Sequence, residues 1–362
     1  MIDEAGAKKY LMRGHVFWKC IGTTLCCLAT TSLWAQEKAV REINVFPPAV
    51  RLDSARDFQT IVVQATREDG VTEDVTRSAK MAFKNPECAT LERIDGKAGM
   101  SIRLSPKQDG DTVLVVSYGG HQVELPVSVQ SAGKEPPLSF RLDVMPVFAR
   151  AGCNMGSCHG AARGKDGFRL SLFGFDPAGD YHRLTREMPG RRINLANPEG
   201  SLVVQKAVGA VAHTGGKRFE KDSELADRLI RWITAGAQDD PNAGKDIPTL
   251  QAVDLYPPTT LLEGEQATQQ LVAVARFSDG TDRDVTDLVW YGSNNDSSVG
   301  ITSSGNTTSG QRGESFVMAR YDTITVGVPV VVIPKNLTFH YPKSEGNTWV
   351  DDLVDTKLKS LR

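Results

Sequence analysis

Two cysteines and a histidine stand together in AGCNMGSCHGAARGKDGF, residues 151–168, with four residues between Cys153 and Cys158 and His159 directly after the second thiol. Two thiols and an imidazole so placed open three kinds of chemistry. The thiols can add across the two vinyl groups of a haem while the imidazole binds its iron from one face. They can close on each other as a disulfide, leaving the histidine a bystander. They can also begin a zinc site, although such a site wants four ligands, and His182 or His213 would add one more and leave it short. For haem attachment the demanding feature is the adjacency of Cys158 and His159, which sets the ring relative to the porphyrin. The loop between the thiols is softer. Asn154 and Gly156 tolerate turns, so two residues beyond the usual C-x-x-C-H spacing can bulge outward.

The whole chain bounds these readings. Its 362 residues allow two or three domains, each large enough to bury a core. With 42 basic against 44 acidic residues, a net charge of −2 and no Lys/Arg block, nucleic acid is not an expected partner. A hydrophobic content of 40% and a charged content of 24% are ordinary for soluble globular protein. Lys8, Lys9, Arg13 and Lys19 form a basic start, and the stretch from Cys20 to Ala35 carries no charge. That pattern predicts a signal peptide over residues 1–35, with an uncleaved anchor as the alternative. Either way the remainder is exported, to the periplasm or cell envelope. Of the six cysteines, Cys20, Cys26 and Cys27 fall in the signal, and the exported part keeps Cys88, Cys153 and Cys158. These are too few for a disulfide scaffold. Cys88 reads as a small buried apolar side chain.

A repeat organises the rest. INVFPP (43–48) matches VDLYPP (253–258), and EDGVTEDVT (68–76) matches SDGTDRDVT (278–286), both displaced by 210 residues. GDTVLVVSY (110–118) matches GESFVMARY (313–321) at 203, so the second copy is shorter in its middle. One module is used twice. TIVVQAT and QLVAVARF carry β-branched, alternating apolar residues into Asp-Gly turns, and several such strands predict a small β-sandwich in each copy. The Pro-Pro pairs mark edge or entry positions. The motif's aspartates lack the dense run of oxygen ligands that calcium wants, so they are expected to make turns and face water. Between SAGKEPP (131–137) and PNAGKDIP (241–248) the β pattern breaks. A helix is predicted over 142–152, with Asp143 near its cap and Pro146 in its first turn. Another is predicted over 222–236, capped by Asp222 or Ser223, with Leu225, Leu229, Trp232 and Ile233 on one face. GNTWVDDLVDTKLKSLR (346–362) reads as the start of a further amphipathic helix.

The D-G-x-x-x-D-V-T element of both copies resembles bacterial immunoglobulin-like domains of the group-2 type. GCNMGSCHGAARGKDGFRLSLFGFDPAGDY, GRRINLANPEGSLVVQKAVGAVAHTGGKRF and the closing RLIRWITAGA resemble the planctomycete-type cytochrome c domain, in which the four-residue spacing is common. The resemblance implies a mainly β, multidomain chain in which two immunoglobulin-like β-sandwiches (36–131 and 248–334) flank a small, mainly α c-type cytochrome domain (138–240). The tail, 335–362, would begin a truncated further domain. It implies one covalent haem c on Cys153 and Cys158, with His159 as the proximal iron ligand. His213, 54 residues after His159, would be the distal ligand and Met188 the alternative. A methionine there raises the reduction potential and a second histidine lowers it. Arg191 and Arg192, or Lys217 and Arg218, would pair with haem propionates or else be solvated surface. The implied function is electron transfer with an unknown redox partner protein. No Ser/His/Asp set, paired carboxylates or phosphate loop is present, so no enzyme is expected. The alternative is a structural or adhesion protein contacting the cell envelope or carbohydrate through its immunoglobulin-like modules, with the cysteines as a staple. A sensor with an open sixth position for a small gas is a third reading.

Overall fold

Every residue of the strand Gln59–Arg67 (QTIVVQATR) is buried. A strand turns successive side chains to opposite faces, so a sandwich strand usually leaves one face in water. Here both faces are covered. Ile61, Val63 and Ala65 point into the core of their own copy, whereas Val62 packs with Val272, Val274 and Tyr256 of the second copy. The equivalent strand behaves likewise, because Ala273 and Ala275 face their own core. The computed structural model in which this is seen describes residues 39–96, 99–342 and 348–362. The expected export signal, 1–35, lies outside the described residues. Among those described, no helix is long and apolar enough to cross a membrane.

The chain is mainly β. In the first copy, Val40–Phe46, Gln59–Arg67, Gly99–Pro106 and Ala89–Gly96 form one sheet, joined by Thr72–Asp74. Val50–Leu52, His121–Val129, Gly110–Tyr118 and Lys80–Phe83 form the sheet packed on it, and Val50–Leu52 pairs parallel with His121–Val129. Cys88 is buried in the core between them, as expected. The second copy repeats the parallel pairing, with Thr260–Glu263 against Ile324–Ile333.

The two copies meet through residues related by the 210-residue displacement. Asp74 Oδ2 accepts the Gln270 N–H at 2.9 Å, and Asp284 Oδ2 accepts the Thr60 N–H at 2.5 Å. Phe46 and Tyr256 stack on each other, with ring centroids 5.5 Å apart. Each partner in one contact has its equivalent in the reciprocal contact, which is the pattern of an isologous, two-fold interface. This corrects the expectation that the motif's aspartates only make turns and face water. Asp284 is 5% exposed and its inner oxygen caps a strand of the other copy. The other oxygen keeps the turn, accepting the Thr286 N–H at 2.8 Å.

Helices occupy the middle and the end: α1 (Met145–Arg150), α2 (Pro177–Thr185), α3 (Leu202–Ala207), α4 (Glu224–Thr234) and α5 (Trp349–Leu361). The helix predicted over 142–152 is split, because a wider turn over Phe140–Val144 precedes α1 and Pro146 enters the α-helix in its first turn. α4 starts where predicted, with Ser223 Oγ accepting the Ala226 N–H. Its Leu229, Trp232 and Ile233 belong to a core that runs without a break from the helical segment into the second β copy. Polar bonds follow the same seam. Asp143 receives Arg228 of α4 at 2.9 Å and Arg283 of the second copy at 2.7 Å, and the Tyr321 hydroxyl donates to Leu142 O at 2.9 Å. α5 has a full Thr348–Asp351 capping box, and Leu361 at its end packs near Val71, Val331 and Ile333. Its Trp349 is 74% exposed.

Asp284→Ala leaves the Thr60 N–H buried without its partner and is expected to cost about 1–3 kcal/mol, read as a lower urea midpoint. Asp74→Ala should act in the same direction. A loss confined to one of the two would contradict the reciprocal interface. Asp57, in the turn before Gln59–Arg67, accepts the N–H groups of Asp53 and Phe58, yet burial outweighs these bonds and the Arg283 charge and pushes its pKa up to about 6. The folded chain therefore keeps this proton over a window, from about pH 4 to about 6, in which the unfolded chain has lost it. The stability it contributes is complete below that window and is lost as pH rises through it. Asp57→Asn should flatten the fall in urea midpoint between those pH values.

Candidate functional site

α1 delivers the chain into the cysteine loop. Gly152, at φ +70°, turns the backbone out of the helix, and the Cys153 N–H returns to Phe148 O at 2.8 Å. The loop then folds on itself. The N–H groups of Cys158 and Gly160 bond to Met155 O at 2.9 and 3.1 Å, and that of His159 to Cys153 O at 3.0 Å. A Cβ at position 160 would lie 2.1 Å from Asn154 O, so only glycine fits where the loop closes.

His159 is held at both ends of its backbone and at its ring. Its carbonyl accepts the Leu170 N–H at 2.8 Å, and Nδ1 lies 2.9 Å from Phe168 O. A carbonyl can only accept, so Nδ1 carries the proton and Nε2 keeps its lone pair. Burial, aided by the neighbouring His213, holds the imidazole below its usual pKa and so favours this neutral form. His213 is fixed in the same way from another loop. Its Nδ1 lies 3.0 Å from Gly216 O, and its carbonyl accepts the Gly216 N–H at 2.8 Å. The two rings are 6.1 Å apart between centroids and within 8° of parallel.

Both histidines line a cavity of about 290 Å³ between the motif, α3 and α4. Phe148, Phe168, Leu202, Val203 and Phe219 supply apolar wall. Lys165, Arg191, Arg192, Lys206 and Arg218 bring positive charge to it against the single carboxylate of Asp166. Cys153 lines the cavity too, and burial pushes its thiol up to about 12, so it is neutral at physiological pH. Cys158 is buried but lies outside the lining. Met188 is in the lining and 46% exposed.

The remaining candidates separate. Arg192 donates to Arg183 O at 2.7 Å, pairs with Glu187 and lies over the Phe168 ring, so it braces the wall. Arg191 is exposed beside it. Lys217 lies outside the cavity and pairs with Glu220. His182 is exposed on α2, also outside the cavity. Among the described residues no group of three or more His, Cys, Asp and Glu side chains is placed to hold a metal ion, so the zinc reading has no ligand set. Cys88, Cys153 and Cys158 are free thiols, so the staple of the structural reading is not formed here.

Sequence reasoning missed several residues that hold the site. Phe168 supplies the carbonyl for His159 and a ring 4.8 Å from it. Its place in the KDGF turn was the available signal. Asp180 is wholly buried on α2 and accepts the Ser171 N–H at 2.7 Å and its hydroxyl at 2.5 Å, with Arg183 at 2.9 Å. That carboxylate fixes the strand of chain that leaves His159 and Leu170. Nothing in the local spacing of Ser171 and Asp180 announces the contact.

No protein-family model matches this sequence, and no curated protein matches it. Among solved structures it is similar to domains 4 and 5 of the S-layer protein SbsC, at 17% identity over 26% of this chain and 53% of that one, with a TM-score of 0.21. The chain thus spans about half the length of that structure. It is also similar to domains 5–6 of SbsC (11% identity, 81% and 98% covered, TM-score 0.31) and to invasin, a bacterial integrin-binding protein (12%, 82% and 60%, 0.20). Scores this low leave function to be argued from the chain's own residues.

Removing the buried carboxylate with Asp180→Ala leaves both Ser171 donors without their acceptor and leaves Arg183 with Asp176 alone, at 3.3 Å. The expected loss is about 3 kcal/mol, measured as a shift of the urea midpoint. An unchanged midpoint would show that the segment after the motif is held by other contacts.

Proposed function

We propose that this chain is an exported c-type haem protein that carries electrons, its haem domain (138–240) held between two immunoglobulin-like copies. One observation carries the reading: two parallel imidazoles 6.1 Å apart, each with Nδ1 committed to a carbonyl and Nε2 free to bind a metal. With metal–nitrogen bonds of about 2 Å, that separation suits one ion shared by two rings. Since no third protein ligand stands with them among the described residues, the ion's other positions fall to a group that brings its own donors, and a porphyrin does so. The cavity also suits it. Apolar walls accept a flat macrocycle, and the cationic lining suits its carboxylates.

In this reading Cys153 and Cys158 would form the thioethers, and His159 and His213 would be the proximal and distal ligands, with Met188 as the alternative to His213. Haem bound there would supply one-electron chemistry. The protein's own part is positioning. The Phe168 and Gly216 carbonyls set both tautomers, and the aromatic wall restricts water. A histidine in the distal place lowers the potential relative to methionine. The redox partner would be another protein.

A structural or adhesion role is the second reading, with contact to the cell envelope or carbohydrate through the β copies. It is favoured by the unbroken core that joins the helical segment to the second copy.

The test is maturation with the haem-attachment machinery, followed by mass spectrometry and ultraviolet–visible spectra before and after dithionite. The expected product gains the mass of one haem, keeps its colour through denaturation and sharpens its bands on reduction. His159→Ala should lose most of the bound haem, and His213→Ala should admit carbon monoxide. A colourless product of unmodified mass would sink the proposal and leave the structural reading.

A further inference from the structure

Two imidazoles share one metal only while the loops that carry them stay in register, and a single side chain ties the His213 loop to the entrance of the cysteine motif. Arg218 Nε donates to Ala151 O at 2.6 Å, and Nη2 donates to the same carbonyl. Nη1 donates to Gly215 O at 3.1 Å. Ala151 lies two residues before Cys153, and Gly215 two residues after His213. One rigid, planar cation thus bridges the two segments, and its own N–H anchors it to Ala207 O at the end of α3, at 2.7 Å.

The seat for the guanidinium is shaped by Gly152, where a Cβ would stand 2.7 Å from Nη2. Apart from this bridge, the His213 loop is tied toward the motif by an exposed hydrogen bond, from Thr214 Oγ1 to Asp166 Oδ2 at 3.2 Å. The sequence offers Arg218 either to a haem propionate or to solvent. In the structure three of its donor N–H groups go to backbone carbonyls instead.

We infer that Arg218 is a positioning residue that keeps His213 opposite His159 and so keeps the sixth coordination position closed to outside ligands. This rests on the haem reading. The cation would not serve as a ligand, since its donors go to backbone carbonyls. It acts by making departure of the His213 loop break charge-assisted bonds to two carbonyls at once. Lysine cannot replace it, since an ammonium on a flexible stem is a point donor without the fork that reaches both carbonyls.

The experiment uses the full, haem-loaded chain as wild type, Arg218→Ala, Arg218→Lys, Lys221→Ala, His213→Ala and the Arg218→Ala/His213→Ala double variant. Circular dichroism melts confirm that each is folded. Carbon monoxide affinity is measured on the reduced forms, and the ferric spectra report the spin state. Arg218→Ala should bind carbon monoxide about 10- to 100-fold more tightly than wild type, the range expected for losing one or two hydrogen bonds to a charged group. Its ferric bands should move toward those of His213→Ala. Arg218→Lys should follow in the same direction, and Lys221→Ala should match wild type. The double variant should equal His213→Ala alone, because Arg218 is argued to act only through that histidine.

The inference is overturned if haem-loaded Arg218→Ala keeps the wild-type spectrum and affinity, or if its effect adds to that of His213→Ala. Should Arg218→Ala not fold, Arg218→Lys decides by the same two criteria. A wild-type protein that carries no haem would instead refute the reading beneath it, and would show itself before any variant is compared.

Discussion

The carboxylate of Asp143 is where the parts of this chain are joined. It is 5% exposed, and its Oδ1 receives Arg228 from α4 and Arg283 from the second β copy, while Oδ2 accepts the Ser139 N–H at 2.8 Å. A buried carboxylate facing two arginines is the shared member of the set, since removing it takes a partner from both cations at once and leaves Arg228 with Glu224. Asp143 stands two residues before α1, so this one cluster sets the direction in which α1 leaves the β surface. Asp240 secures the same turn from the other end of the segment, accepting the N–H groups of Phe140 and Arg141 at 3.0 and 2.9 Å. The position of Cys153 is the far end of that lever.

The two β copies solve a problem that a lone sandwich would not meet. Each central strand carries apolar or amide side chains on the face turned away from its own core, and each covers the other's. An interface built from equivalent residues satisfies its polar groups in pairs, so Asp74 and Asp284 do the same work on opposite sides. Gln64 adds a bond to Gln269 at 3.1 Å within the buried face. The copies are therefore more than spacers. They form one platform, and the helical segment shares its core with one half of it.

The site itself combines opposing demands. Its walls are apolar and strip water from the imidazole and thiol, which holds both in their neutral forms. Its lining is cationic, which suits an anionic group rather than a free metal cation. The two histidines have their tautomers set by carbonyls from separate turns, Phe168 for His159 and Gly216 for His213, each supplied by the ring's own stretch of chain.

How much of this was legible beforehand follows from the range of each interaction. The amino-acid order alone determined the repeat, the strands with their Asp-Gly turns, the capped α4 and the chemical types of the motif, because these rest on local propensity and on periodicity over a few residues. The pairing of His213 with His159 was suggested by resemblance, and the structure brings the rings together. What only the tertiary structure decided was the use of surfaces: that the outer face of Gln59–Arg67 is buried, that Asp284 reaches another copy, that Arg218 spends its donors on carbonyls and that Asp180 holds Ser171. Each depends on which segments meet after long loops have closed, and a side chain's partner across such a closure leaves no mark in its own neighbourhood of the sequence.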